Sequence, residues 1–429
     1  MCTPRNTCIV IVSMLFCLEG WPSTLWAQSM PTDQTIAFYQ RALQRNSFDV
    51  RTYCGLGDAY SRKARESGDV TYFHLAEQAL RKALQLRPQY SEALRHLAFV
   101  LYARHDFAGA AQEATKAIEL DPTDGYAYGV LGDAHLEVGQ YGQAQEALQR
   151  MLDLQRDLYA YSRLSGLKSL RGDTAGAIED LKQAIEVGQT EGRPQEHIAW
   201  AQWQLGNEYF ALGNLREAKG QYRAALATYP DYYRALAGLA QVQVAQQHYQ
   251  EAVDLYQQAL AIVPMPDYAA ALGDVYTQLG QPEEARKQYA LVEYIGYLNT
   301  LNKVLYNREL AVFYADHNTK LAEALELAKK ELEVRQDIYA YDLLAWILYK
   351  NGQLQEALAA ITEALKLGTQ DAKLFFHAGM IYHQLGDIAK AKLSLQRALA
   401  TNPYFHIVHA DVAKRTLEGL GERFGQAVR

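Results

Sequence analysis

Residues 199–232 read AWAQWQLGNEYFALGNLREAKGQYRAALATYPDY, and in them Gly206 is followed twelve positions later by Ala218. The same couple, a small residue and then an alanine, recurs about every 34 residues: Gly57/Ala76, Ala98/Ala110, Gly132/Ala144, Ser165/Ala177, Gly206/Ala218, Ala240/Ala252, Gly273/Ala285, Ala311/Ala324, Ala345/Ala357 and Gly379/Ala391. A fixed period of this length marks a solenoid of stacked helix pairs. The fold class is therefore all-α, an α-solenoid of about ten helix hairpins.

Small residues are needed where two antiparallel helices cross closely, because a larger side chain there overpacks the contact at about 1–3 kcal/mol. Large apolar residues fill the space around the crossing. Leu94, Leu97 and Leu101 fall at i, i+3, i+7, and Ala110, Ala114 and Ala117 at i, i+4, i+7, both helical spacings. Gly139, Gly172, Gly213, Gly280, Gly352 and Gly386 lie seven residues past the small residue, where the first helix ends, and Asn318 holds the matching place in its repeat. A left-handed backbone costs glycine nothing there. Pro88, Pro122, Pro230, Pro264 and Pro403 mark the exit of the second helix.

With those residues in view, the chain resembles the tetratricopeptide repeat family. Leu205, Gly206, Tyr209, Ala218, Tyr222, Ala225 and Pro230 meet that family's pattern, which returns in residues 372–405. The likeness runs from about residue 33 to 405 and implies a right-handed superhelix. Three departures stand out: Lys168 replaces an aromatic, about seven extra residues separate the helices of the first repeat, and Glu331 replaces the later alanine. Register and packing are expected to be weakest there. Residues 64–72 and 187–197 read as longer connections.

The ends divide from the solenoid. Arg5, an apolar run from Cys8 to Leu18 and Leu25-Trp26-Ala27 read as a secretory signal over residues 1–27, cleaved after Ala27. The apolar run is too short to span a bilayer, which takes about 20 residues. Residues 28–48 read as an N-terminal half-repeat, 49–405 as the solenoid and 406–429 as a capping helix with one apolar face. The mature chain is then expected to be exported, periplasmic in a Gram-negative bacterium and otherwise secreted, without an integral membrane span. Cys2, Cys8 and Cys17 would leave with the signal, so Cys54 has no internal partner.

A net charge of −7 in 429 residues disfavours nucleic acid, whose binding rests on neutralising phosphates. No phosphate loop, HExxH, GxSxG or dinucleotide fingerprint is present, so the chain reads as no enzyme and takes no cofactor. No metal is expected either. His406 and His409, at i, i+3, are expected to face one another on the final helix, but no cysteine or carboxylate completes a ligand set. Arg171-Gly172-Asp173 falls on an ordinary inter-helix turn.

The resemblance implies that ligands lie along first-helix residues pointing into the concave face. Those places hold Phe99, Tyr102, Trp203, Phe210, Trp346, Tyr349 and Phe376, with Asp58, Asp133, Asp274 and Asp342. Tyr126 and Trp200 extend the set. Asn207 alone matches the asparagine repeated in clamp-type and glycosyltransferase-type relatives, so neither a carboxylate clamp nor an asparagine ladder is expected. The aromatics are read in part as packing between repeats and in part as a groove, with Trp203 and Trp346 foremost. The expected function is a non-catalytic protein–protein interaction scaffold, binding an extended peptide or partner protein in an aromatic and acidic groove. The alternative is a carbohydrate-binding scaffold in polysaccharide export or envelope assembly. Residues 338–405 look like those of exported bacterial repeat proteins of unestablished role.

Overall fold

The computed structural model describes residues 30–301 and 307–427 and holds helices without any strand among them. The sequence that decides the fold forms one hairpin: Gln195–Ala211, a turn at Gly213 with φ of 72°, and Leu215–Thr228. The need for a small residue is visible at Gly206, where a Cβ would sit 2.5 Å from the ring of Tyr222. Tyr222 lies four residues after Ala218 and is fully buried. Gly57 makes the same room for Leu80, Gly132 for Leu148 and Gly379 for Leu395. One helix supplies the gap and the other the large side chain, so each hairpin interlocks.

The exits follow from proline. Arg87, Asp121, Tyr229, Val263 and Asn402 each close a second helix in an extended conformation, and each precedes a proline. The proline ring disfavours helical geometry in the residue before it. Successive first helices touch one another directly, whereas second helices make no comparable contacts with each other. The first helices therefore line the inside of the curve.

Two stretches read as long connections are mostly helix. The helix Val50–Ser67 runs on through residues 64–67, and Thr174–Thr190 runs on to within five residues of Gln195. The first extension carries Arg65, and the short turn after the second carries Arg193. The other departures are compensated locally. Lys168 reaches Asp180 at 2.7 Å. Glu331 is buried at 1 % exposure and paired with Arg308.

The superhelix closes on itself. The amide of Gln336 donates to the Glu137 carbonyl at 2.8 Å, the Thr369 hydroxyl to the Leu170 carbonyl, and the Asn402 side-chain amide to the Phe210 carbonyl at 2.8 Å. Each acceptor lies in the last turn of a first helix, where carbonyls lack an intrahelical partner. Each donor enters a repeat close to six periods further on. Turn glycines seat this contact: a Cβ at Gly139 would meet the Gln336 carbonyl oxygen at 2.6 Å, and one at Gly172 the Gly368 carbonyl oxygen at 2.5 Å. Gly68 abuts Val263 and Gly213 abuts Pro403 in the same way. Beside the seam Arg335 bridges Glu137 at 2.6 Å and Asp337 at 2.7 Å.

At the start, Thr32–Arg45 packs on Val50–Ser67 through Ile36 and Tyr39. At the other end, His409–Ala427 lays Ala413 and Leu420 against the last repeats. The signal read in residues 1–27 lies outside the described residues. No helix among those described is long and apolar enough to cross a membrane.

Candidate binding channel

The inner face carries arginines that the aromatic and acidic reading did not include. Arg65, on the extension of Val50–Ser67, lies 3.5 Å from Glu196 and 6.0 Å from the centre of the Phe99 ring. Arg95 lies 5.4 Å from the Tyr126 ring, Arg193 5.3 Å from Tyr159, and Arg234 5.2 Å from Trp203. Four successive repeats thus each present one aromatic with a guanidinium over it. The rule that selects Trp203, three places before the small residue, also lands on Arg95. Arg65 and Arg193 sit in the inserted stretches, where the 34-residue period gives no position to read.

A hydrogen-bonded network fixes the middle of this face. The Tyr126 hydroxyl donates to Asp157 at 2.9 Å and accepts from Arg193 at 3.2 Å. Its ring lies 5.5 Å from that of Tyr159, whose hydroxyl is 2.6 Å from His197 Nδ1. Burial, helped by Arg65, drives His197 down to about 4. Burial and then Tyr126 push Tyr159 up to about 12. Near neutral pH the tyrosine is therefore the donor and the imidazole the acceptor.

The groove residues read from sequence divide into two groups. Phe99, Tyr102, Tyr126, Trp200, Trp203, Asn207, Phe210 and Tyr349 are half-buried. Tyr102 donates to Glu137 at 3.1 Å, and Asn207 accepts from Tyr222 at 2.9 Å. Trp346, Phe376 and Asp342, by contrast, are 3 %, 1 % and 7 % exposed, which corrects their placement in the groove. The Trp346 indole donates to Asp316 at 2.8 Å and stacks on His377 and Tyr349. Large rings at helical spacing have here been drawn into the packing between repeats.

The acidic character is corrected as well. Asp133 takes a 2.8 Å bond from Arg163, and Asp342 pairs with His377 at 2.8 Å. Asp274 pairs with His317 at 2.8 Å and accepts from the Tyr289 hydroxyl at 2.9 Å. Asp58, the exposed member, faces His96 at 3.9 Å. Carboxylates withdrawn from water need such partners. Burial raises Asp133 even with Arg163 beside it.

Cys54 is buried, and burial, with Glu92 adding, holds its thiol protonated. The histidine pair does not share a helix as expected: His406 lies in the turn before His409–Ala427, and His409 opens that helix. The rings of His406 and His409 stack 4.1 Å apart, and Asp316, at the end of the eighth repeat's first helix Arg308–Asp316, lies 3.9 Å from both.

Tetratricopeptide repeat models match residues 62–125, 204–265, 244–297 and 343–404, and a second such model matches 101–169. The TPR repeat-containing protein MJ1428 of Methanocaldococcus jannaschii is 24 % identical over 310 residues, 67 % of this chain and 52 % of that protein. Human protein O-mannosyl-transferase TMTC1 is 26 % identical over 232 residues, 51 % of this chain and 24 % of that protein. The chain thus spans about half or less of the length of these curated relatives. Among solved structures, the human IFIT1 dimer with PPP-AAAA has a TM-score of 0.50 at 17 % identity, covering 78 % of each chain, a likeness of fold. With repeat models matching more than half of its residues, the chain belongs to the tetratricopeptide repeat family, whose fold serves generally as a scaffold for protein–protein interaction.

Proposed function

We propose that the protein is an exported, non-catalytic scaffold that receives an extended peptide, or an extended segment of a partner protein, along its inner face from Phe99 to Trp203. The observation that carries this reading is the row of four aromatic–arginine couples, one from each of four successive repeats. Tyrosine, tryptophan and arginine dominate the energetics of protein interfaces. A row with repeat spacing suits a chain lying lengthwise.

The same observation favours peptide over polysaccharide, because a sugar stacks on an open aromatic face and these faces already hold guanidinium groups. It also favours peptide over nucleic acid. Arg65, Arg95 and Arg193 have Glu196, Asp124 and Asp157 beside them, and the chain carries a net charge of −7. Export rests on the signal in residues 1–27, and the chain is placed in the periplasm of a Gram-negative host or outside the cell otherwise. Intact mass of the purified protein beginning at Gln28 tests it.

Peptide and glycan arrays probed with the same purified protein test the partner class. The expected result is peptide binding that Trp203→Ala weakens about 30-fold, equivalent to about 2 kcal/mol, at unchanged helical content. Binding to glycans alone, or peptide binding indifferent to Trp203→Ala, overturns the proposal.

A further inference from the structure

We propose that Asp316, His377 and His409 form a binding site for one divalent transition-metal ion of the zinc class. One potential ligand atom from each lies within 4.8 Å of the other two. The residues come from the end of Arg308–Asp316, the middle of Ala372–Gln384 and the start of His409–Ala427, so an ion here ties the final helix to two separate repeats.

The donors are prepared for coordination. His377 Nδ1 lies 2.8 Å from the buried Asp342 carboxylate, which fixes the proton on Nδ1 and leaves a lone pair on Nε2. That Nε2 is buried and has no hydrogen-bond partner, and His409 turns its Nε2 toward Asp316 at 3.9 Å. His377 and His409 are 1 % and 5 % exposed. An unsatisfied buried polar atom is costly, and a metal ion satisfies a nitrogen lone pair. A carboxylate behind a ligating histidine is the arrangement that orients such ligands. Asp342, unsuited to a groove, has a role of this kind.

The third donor is a carboxylate: Asp316 accepts the Trp346 indole proton at 2.8 Å and has the Lys373 ammonium at 3.9 Å. His406 itself is not counted as a ligand. Its Nδ1 accepts the amides of Val408 and His409 at 3.1 and 3.3 Å, which places its proton on Nε2, facing Asp316.

Two imidazoles and one carboxylate suit zinc, cobalt or nickel rather than magnesium or calcium, and leave a coordination position for water. Metal–ligand bonds of about 2.0–2.1 Å place tetrahedral ligand atoms about 3.3 Å apart, so binding draws the three side chains inward. A second cluster, Cys54, Glu92 and His96, lacks this preparation. Its thiol is held protonated by burial, and the Arg95 guanidinium lies 3.3 Å from His96 Nε2.

The test is calorimetric titration of Zn²⁺ into the metal-stripped full chain, with Co²⁺ followed by its visible absorption. Trp346, stacked 4.2 Å from His377, provides a fluorescence signal that Co²⁺ quenches. The expected result is one saturable site, weakened at least tenfold by His377→Gln and by His409→Gln and about 10–100-fold by Asp342→Asn, with circular dichroism unchanged. His96→Gln leaves that affinity intact. Should a variant fail to fold, the wild-type chain decides: its Tm rises with Zn²⁺ and not with Mg²⁺. Absence of saturable binding, binding indifferent to both histidine variants, or binding lost with His96→Gln overturns the proposal.

Discussion

The backbone amide of Ile338 donates a 2.9 Å hydrogen bond to the hydroxyl of Tyr141, a residue 197 positions earlier in the chain. Tyr141 opens the second helix of the third repeat and Ile338 opens the first helix of the ninth. The bond spans two successive turns of the superhelix. Burial pushes the Tyr141 hydroxyl up to about 12, and the amide it accepts from pulls in the other direction.

Replacing Tyr141 by phenylalanine leaves the buried Ile338 amide without that acceptor, which costs about 1–3 kcal/mol. Tyr249 holds the matching position in the sixth repeat, and its phenylalanine variant is expected to stay within about 0.5 kcal/mol. Urea unfolding midpoints of the two variants check the difference.

Gly139 and Gly352 occupy equivalent turns with φ of 73° and 76°, but a Cβ meets the Gln336 carbonyl oxygen at the first and nothing within 4 Å at the second. Alanine in a left-handed conformation costs about 1–2 kcal/mol at either place. Gly139→Ala adds an overpacking cost of about 1–3 kcal/mol. Equal losses in the two variants would show that the turns of the superhelix do not bear on one another.

Trp346 and Trp203 are expected to separate stability from binding. Trp346→Ala opens a cavity and removes the indole donor from Asp316, lowering stability by about 3–5 kcal/mol. Trp203→Ala acts on peptide affinity instead. Thermal unfolding beside the binding assay distinguishes them.

His317 gives stability a pH dependence. Burial lowers its basicity, but the hydrogen bond and charge of Asp274, the Phe313 carbonyl and the nearby Asp316 overcome this, so its pKa is raised above 6.5. A group whose folded pKa is raised contributes fully below its unfolded value of about 6.5 and loses that contribution as pH rises through the folded value. The Tyr289 hydroxyl donates to the same Asp274 carboxylate oxygen. The stability gap between wild type and His317→Gln is therefore expected to shrink as the pH rises from about 6.5 into the mildly alkaline range. Unfolding midpoints across that range measure it.

The hairpin was legible because its determinants are local. Gly206, Ala218 and Tyr222 lie within 17 residues, and their spacing alone fixes how two helices meet. The proline exits and glycine turns are local for the same reason. The site was legible only in outline. First-helix positions name Trp203 and Asp133, but whether a ring stays half-open or is packed away depends on neighbours from other repeats, as Trp346 does on Asp316 and His377.

Sequence by itself determined the repeating unit, its small-to-large interlock and the inward-facing helix. Tertiary structure decided how far the superhelix winds, and so which residues close to six repeats apart become neighbours. That outcome is a sum of small rotations between successive hairpins. A slight change in each would part Tyr141 from Ile338, and none of those rotations is written in any one repeat.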